Sequence, residues 1–340
     1  MTTLKDVAKR AGVSAKTVSR VVNRDPLVSD ETRRSVQKLV DELGYVPNDA
    51  ARFMRTQTSR TVGFLTDLIA TTPHSVDIVR GVQAELREEG RTLLIANSDG
   101  AADLEDEYWR LFQSQRAAGA IYATMFHREV KLGDIAFDGP LVLVNCFDAK
   151  NRFPSVLPDD VGGGALQAGH LLELGHRHIG FVTLNTLIRA EQLRRKGYEK
   201  AFKAHGLKLD GAPMVPGIVG NVGGERLVAY EAALDMLKGK NRPTAIVCGH
   251  DQIALQVMAA ASALGLKVPS DLSVIGFDDQ HQITEALRPA LTTVALPYFA
   301  MGQTATRLLN DILASRPVQR ASTLIACPLV ERQSCQRLNR

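Results

Sequence analysis

The chain has 340 residues, of which 45% are hydrophobic and 23% charged, a length that suggests two or three folding units and a balance ordinary for a soluble globular protein. No apolar run approaches the roughly 18 residues of a membrane span, and residues 1–6 lack a signal-peptide core, so a cytoplasmic protein with no membrane partner is expected. The net charge of +4 is unevenly placed: residues 1–60 carry 12 Lys/Arg against 7 Asp/Glu, and the remainder 29 against 30. Such asymmetry points to a polyanion-binding head on a neutral body.

Residues 1–45 read as helical. Leu4, Val7, Ala8 and Ala11 keep a 3–4 spacing that Gly12 interrupts. Ser14 then caps a second segment with Val18, Val21 and Val22 on its inner face, and Val13 joins Val18 in fixing the crossing of the two helices. After the turn at Asp25-Pro26, Ser29 caps a third helix carrying Val36, Leu39, Val40 and Leu43, and Gly44 stops it. Two short helices about a glycine-containing turn form a helix-turn-helix, whose second helix enters the DNA major groove. Its outer face carries Ala15, Lys16 and Arg20. Lys16 and Arg20 can donate to guanine O6 and N7, and Ala15 is small enough to meet a thymine methyl. Thr17 and Ser19 suit phosphate oxygens.

Residues 46–60 read as a linker with one short helical turn, opened by Pro47 and capped by Asn48 or Asp49. From Thr61 the pattern alternates between strand and helix. Apolar runs at 62–65, 93–96, 120–123, 141–144, 179–182, 245–247 and 274–277 are separated by amphipathic helices such as 76–88, 163–174 and 252–264. That alternation predicts parallel, doubly wound sheets, and a break near 153–160 divides them into two α/β lobes. A ligand cleft is expected between the lobes, beyond the carboxyl ends of the strands. Cys146, Cys248, Cys327 and Cys335 form no C-x-x-C pair, so they read as apolar fillers, and neither a metal nor a cofactor is expected.

Residues 4–23 closely resemble the DNA-binding head of the lac repressor family of bacterial transcription regulators. Further similar stretches are Gly44-Tyr45-Val46-Pro47-Asn48, the hinge-like run Ala50 to Arg55, the Gly175 to Gly180 run, Gly197-Tyr198, the Val268 to Asp279 run and the Pro289 to Val294 run. The resemblance covers essentially 1–335. It implies a head at 1–46, a hinge at 47–60 and an effector-binding, dimerising core from 61. Lobe one is expected at about 61–158 and 292–320, lobe two at about 159–291 and 321–335. It places Leu4, Ser14, Asn23 and Tyr45 with the head residues above in the DNA interface, together with Asn48, Ala51, Met54 and Arg55 of the hinge. Met54 stands where the family wedges an apolar side chain, usually leucine, into the minor groove; the other reading is that Phe53 and Met54 pack the linker on the body.

In the cleft the resemblance points to Arg194 as the arginine that grips the effector and Asp278 as the carboxylate that accepts its hydroxyls. A solvated basic cluster with Arg195 and Lys196, and a loop or cap carboxylate, remain the respective alternatives. Asn145 stands where an aspartate is frequent and is either a ligand contact or a strand-end turn residue. His250 replaces an asparagine, with Asp251 expected to cap the helix that follows, and His74 replaces an aromatic residue. The stacking aromatic expected near 221–223 is missing. Arg194 with two histidines and one carboxylate fewer predicts an electropositive pocket, suited to a sugar acid or sugar phosphate more than to a neutral sugar.

An enzyme finds little support. Gly162-Gly163-Gly164 is neither a dinucleotide nor a P-loop motif and reads as a close-packed helix start, and no G-x-S-x-G or H-E-x-x-H occurs. A solute-binding transport protein would share the lobes but needs an export signal and no basic head. The expected protein is therefore a repressor that binds a palindromic operator in double-stranded DNA as a homodimer. The tail past Glu331 carries no leucine heptads, so a C-terminal tetramerisation coil is not expected.

Overall fold

Each helix of the head starts on a side chain that takes a backbone N–H. Helix α1 (Leu4–Ala11) opens with a reciprocal box: Asp6 N donates to Thr3 Oγ1 at 3.3 Å and Thr3 N to Asp6 Oδ2 at 2.8 Å. It ends at Gly12, whose φ of 64° is the left-handed conformation that glycine adopts without steric cost. Ser14 Oγ accepts from Thr17 N at the start of α2 (Ala15–Val22), and Ser29 Oγ accepts from Thr32 N at the start of α3 (Asp30–Glu42). The faces so aligned bury Val7, Val18, Val21 and Val36 almost completely, with Leu4, Val13 and Tyr45 packed at the edge. Each such valine stabilises the head by about 1.5–3 kcal/mol relative to exposure, and so small a unit has little else to hold it.

The computed structural model describes residues 2–22, 25–45, 59–72, 75–133, 135–221 and 224–338, and forms two units, Met1–Ser59 and Arg60–Arg340. Of the expected hinge at 47–60, all but the last two residues lie outside the described residues.

In the second unit the apolar runs become strands. In chain order these are β1 (Thr61–Thr66), β2 (Thr92–Asn97), β3 (Gly119–Glu129), β4 (Leu141–Phe147), β5 (Ser155–Pro158), β6 (Ile179–Thr183) and β7 (Met214–Pro216). The short pair β8 (Ile218–Val219) and β9 (Arg226–Leu227) follows, then β10 (Ala245–Cys248), β11 (Ser273–Asp278), β12 (Thr292–Ala295), β13 (Ser322–Ile325) and β14 (Leu329–Val330). The helices between them are α4 (Asp77–Glu88), α5 (Ala102–Ser114), α6 (Asp160–Glu173), α7 (Arg189–Ala204), α8 (Ala229–Lys238), α9 (Asp251–Ala263), α10 (His281–Thr284) and α11 (Tyr298–Leu313).

Two six-stranded sheets result, ordered β13-β5-β4-β3-β1-β2 and β14-β12-β11-β10-β6-β7. Every pairing is parallel except that of β14 with β12. Both sheets therefore repeat one winding, with the order reversing between β1 and β3 and between β6 and β10, and the ends of those strands define the crevice for a ligand.

The lobe boundaries differ from the expectation at two places. Thr292–Ala295, expected in lobe one, pairs with β11 in lobe two, and Ser322–Ile325, expected in lobe two, pairs with β5 in lobe one. Helix α11 between them buries Tyr298, Met301, Ala305 and Leu309 against Val62, Phe64 and Ile78 of lobe one. The chain thus crosses between the lobes three times: from β5 to α6, from β12 to α11 and from β13 to β14. Among the described residues no helix is long and apolar enough to cross a membrane.

Candidate functional site

On the head, Ala15 and Lys16 project from the second helix and are exposed. Arg20 is half-exposed and oriented by Asp25, whose Oδ2 lies 3.4 Å from its Nε. That pairing engages Nε, and the side chain stays partly exposed. Thr17 holds its hydroxyl 2.9 Å from that of Ser14, whereas Ser19 is 8% exposed. Of that pair, Thr17 is the more accessible. Leu4 and Tyr45, expected at the DNA interface, pack against the head's own valine core. Asn23, Asn48, Ala51, Met54 and Arg55 lie outside the described residues, as does His74.

Between the carboxyl ends of the two sheets lies a cavity of about 240 Å3 that Asn145, Arg194, His250 and Asp278 all line. Helix α7 delivers Arg194 to it. The side chain is 3% exposed and held at three points: Nε donates to Asp160 Oδ1 at 2.9 Å, Nη1 donates to Gly249 O at 2.6 Å, and Nη2 lies 3.8 Å from Asp278 Oδ1. The guanidinium also covers the Phe277 ring at 3.5 Å from its centroid. Burial works against its charge, but Asp160 and then Asp278 outweigh that and hold it protonated.

Asp278 ends β11 with a φ of 104°, and Asn145, near the end of β4, has a φ of 56°. Non-glycine residues held in such conformations cluster where a scaffold aims a functional group. Burial raises the Asp278 carboxyl above its ordinary range, while Arg194 and His250 oppose the shift. Asn145 is a different case. Its Nδ2 donates to Thr124 O at 3.0 Å and Met125 O at 2.9 Å, so its amide donors fasten β3 and only its carbonyl oxygen remains for a ligand. His250, not Asp251, is the helix cap: its Nδ1 accepts from Ile253 N at 3.0 Å, which places its proton on Nε2. Asp251 is buried instead, with Thr293 Oγ1 and Gln280 N each 2.7 Å from its carboxylate.

Several lining residues escaped the sequence reading. Strand β3 runs on through a register shift after Ala123 and carries Phe126 and His127 toward lobe two, where Phe126 packs on that lobe's core. Phe126, and Tyr298 at the start of α11, give the cavity aromatic side chains other than the one expected near 221–223. His127 Nδ1 meets Asp160 Oδ2 at 2.8 Å. Asp160, which is 1% exposed, and Glu225 add two carboxylates to Asp278 against one arginine, Arg194, among the described residues. Among the described residues the expected electropositive lining is therefore not found: three carboxylates and one arginine line the cavity, with His127 and His250. A second carboxylate directly after the cap Asp159 was the one available signal.

Glu191, one turn before Arg194, is 4% exposed, and its Oε2 accepts from Leu184 N at 3.2 Å. Burial pushes its carboxyl up to about 7, with Arg194 opposing, from an ordinary 4.5. Its folded value lies above its unfolded one, so its contribution is full below pH 4.5 and is lost as the pH rises through 7. Glu191→Gln is expected to remove about 3 kcal/mol of that decline, read as the difference between urea midpoints at acid and alkaline pH. A variant with the parent's pH dependence would refute this assignment.

Residues 3–48 match the family described as "Bacterial regulatory proteins, lacI family", and residues 168–335 match a periplasmic binding protein-like domain. The HTH-type transcriptional repressor PurR of Yersinia enterocolitica is 32% identical over 98% of this chain and 97% of its own. Among solved structures, a putative transcriptional regulator from Rhizobium etli is 41% identical, with a TM-score of 0.78 over 82% of this chain and all of that one. The lac repressor dimer bound to operator and the anti-inducer ONPF is 25% identical, with a TM-score of 0.75 over 98% of this chain and 99% of that one. The regulator CelR in complex with cellobiose is 27% identical, with a TM-score of 0.66 over 98% of this chain and 100% of that one. A relative alike over its whole length, a matching head and a matching two-lobed fold leave one assignment: the chain belongs to the lacI family of bacterial regulatory proteins, as a transcription repressor with an effector-binding core, and is not an enzyme.

Proposed function

We propose that the chain binds a palindromic operator as a homodimer, and that a small sugar-like effector between its lobes controls that binding. The observation that carries the reading is the cavity, where Arg194 and Asp278 meet and Phe126 and Tyr298 share the lining at the switch points of both sheets. Aromatic faces with a few convergent polar groups are what a sugar ring requires. At about 240 Å3 the cavity falls below the roughly 300–1,000 Å3 of sites for drug-sized ligands, which favours a single ring. CelR was solved with cellobiose and the lac repressor as a dimer on operator, and both relatives support the same use here.

Head, hinge and core are assigned to 1–46, 47–60 and 61–340. Hinge residues pair on DNA with Met54 as the wedge, and an effector that shifts the lobes alters hinge spacing and so operator affinity, reciprocally. Selection of bound duplexes from random DNA by the full chain, followed by titration of the winner with neutral sugars, tests this. A selected site without two-fold symmetry, or no site above non-specific binding, would refute it. Lys16→Ala is expected to lose about 1–3 kcal/mol of discrimination at one base pair of each half-site while non-specific binding persists. Unchanged site preference in that variant would remove Lys16 from the reading face.

A further inference from the structure

We infer that Asp160 decides which effectors the cavity accepts: by committing Arg194, it excludes carboxylated and phosphorylated sugars and reserves the cavity for uncharged ones. The inference rests on the effector cavity proposed above. An arginine facing a ligand pocket ordinarily grips carboxylate or phosphate through its planar fork. Here each edge of that fork already has one donor engaged. Asp160 Oδ1 takes Nε at 2.9 Å, Gly249 O takes Nη1 at 2.6 Å, and Phe277 covers one face of the plane. Only Nη2 still faces a loose partner, Asp278 at 3.8 Å.

Nothing local requires a carboxylate at 160. The helix N-terminus is already capped by Asp159, whose Oδ1 accepts from Gly162 N at 2.8 Å. Asp160 is 1% exposed and answers to two distant partners, Arg194 of lobe two and His127 of lobe one. A buried carboxylate carries a desolvation penalty of several kcal/mol, which its ion pair must offset. An anionic ligand entering this cavity meets Asp160 and Asp278, with Arg194, the one arginine among its described lining residues, already paired to both. In a site of low dielectric that repulsion decides against it. A hydroxyl-bearing neutral ring instead finds carboxylate acceptors.

Asparagine at 160 has the same shape and keeps an oxygen for Arg194 Nε, so Asp160→Asn removes the charge while leaving the guanidinium in place. The full chain and this variant are compared by thermal shift against inorganic phosphate, D-ribose, D-ribose 5-phosphate, D-glucose, D-glucose 6-phosphate and D-gluconate. The parent is expected to show no gain from any anion over its neutral counterpart. Asp160→Asn is expected to bind phosphate or an anionic sugar about tenfold more tightly than the parent, and Asp160→Asn with Arg194→Gln to lose that gain. An anion preference in the parent, no gain in the variant, or a gain that survives the loss of Arg194 would each overturn the inference. Should Asp160→Asn not fold, Asp160→Ala carries the same expectation. Failure of operator selection sinks the regulatory reading but leaves this comparison intact, because it reads only the charge of the bound molecule.

Discussion

Arg194→Leu is expected to destabilise the second unit by about 3–5 kcal/mol and to abolish any response to effector. The leucine leaves Asp160 with His127 and Asp278 with Gln280 and the nearby His250, both carboxylates inside the protein, and deprives Gly249 O of its donor. The loss should register as a fall in the core's urea midpoint with an unchanged slope. Arg194→Lys should retain part of the charge pairing but not the fork, and so fall between the two. Because the cost comes from stranded charge, combining Arg194→Leu with Asp160→Leu should restore much of the stability without restoring ligand binding. Additive losses in the double variant would show that Arg194 acts through packing alone.

Gly164→Ala is expected to be the second large effect. A methyl group there would sit 2.4 Å from Arg194 O, and one at Gly197 would sit 2.3 Å from Val161 O. Helices α6 and α7 therefore touch backbone to backbone at the segment that sets the position of Arg194. The clash is with main chain and cannot be relieved by a rotamer change, so about 3 kcal/mol of destabilisation is expected, the upper end for overpacking. Gly169→Ala supplies the contrast on the same helix. A methyl group there meets nothing within 4 Å, so alanine should stabilise by about 0.5–1 kcal/mol. Thermal melts of the two variants should move in opposite directions; equal shifts would show that helix contact does not matter there. The Gly162 to Gly164 run, read from sequence as a close-packed helix start, has this physical basis at Gly164.

The head was legible because its determinants are local: a cap, a three-to-four spacing and a glycine stop lie within one helix of each other. Arg194 and Asp278 were singled out through the family likeness, and the fold places them 3.8 Å apart on one cavity. What stayed hidden was non-local. Asp160 takes its meaning from His127 and Arg194, each more than thirty residues away, and beside Asp159 it reads as one more helix-start acid. Phe126 and His127 sit on the extension of a strand whose apolar run ends at Ala123. The two misplaced strands, Thr292–Ala295 and Ser322–Ile325, are four-residue runs. Nothing in so short a run says which sheet it will join. His250 and Asp251 exchanged roles because either side chain can accept a backbone N–H, and the donors that draw the aspartate inward, Gln280 N and Thr293 Oγ1, lie 29 and 42 residues on.

The triple crossing between the lobes governs the order in which the molecule can be made. Sheet one is not complete until Ser322–Ile325 joins β5, nor sheet two until Leu329–Val330 joins β12. The head, by contrast, needs nothing beyond Tyr45 to close its valine cluster. On the ribosome, where domains fold as units from the amino end, the DNA-reading element is therefore finished while both halves of its controlling core still lack a strand. A chain broken at any point between the two would carry the reader without the regulator.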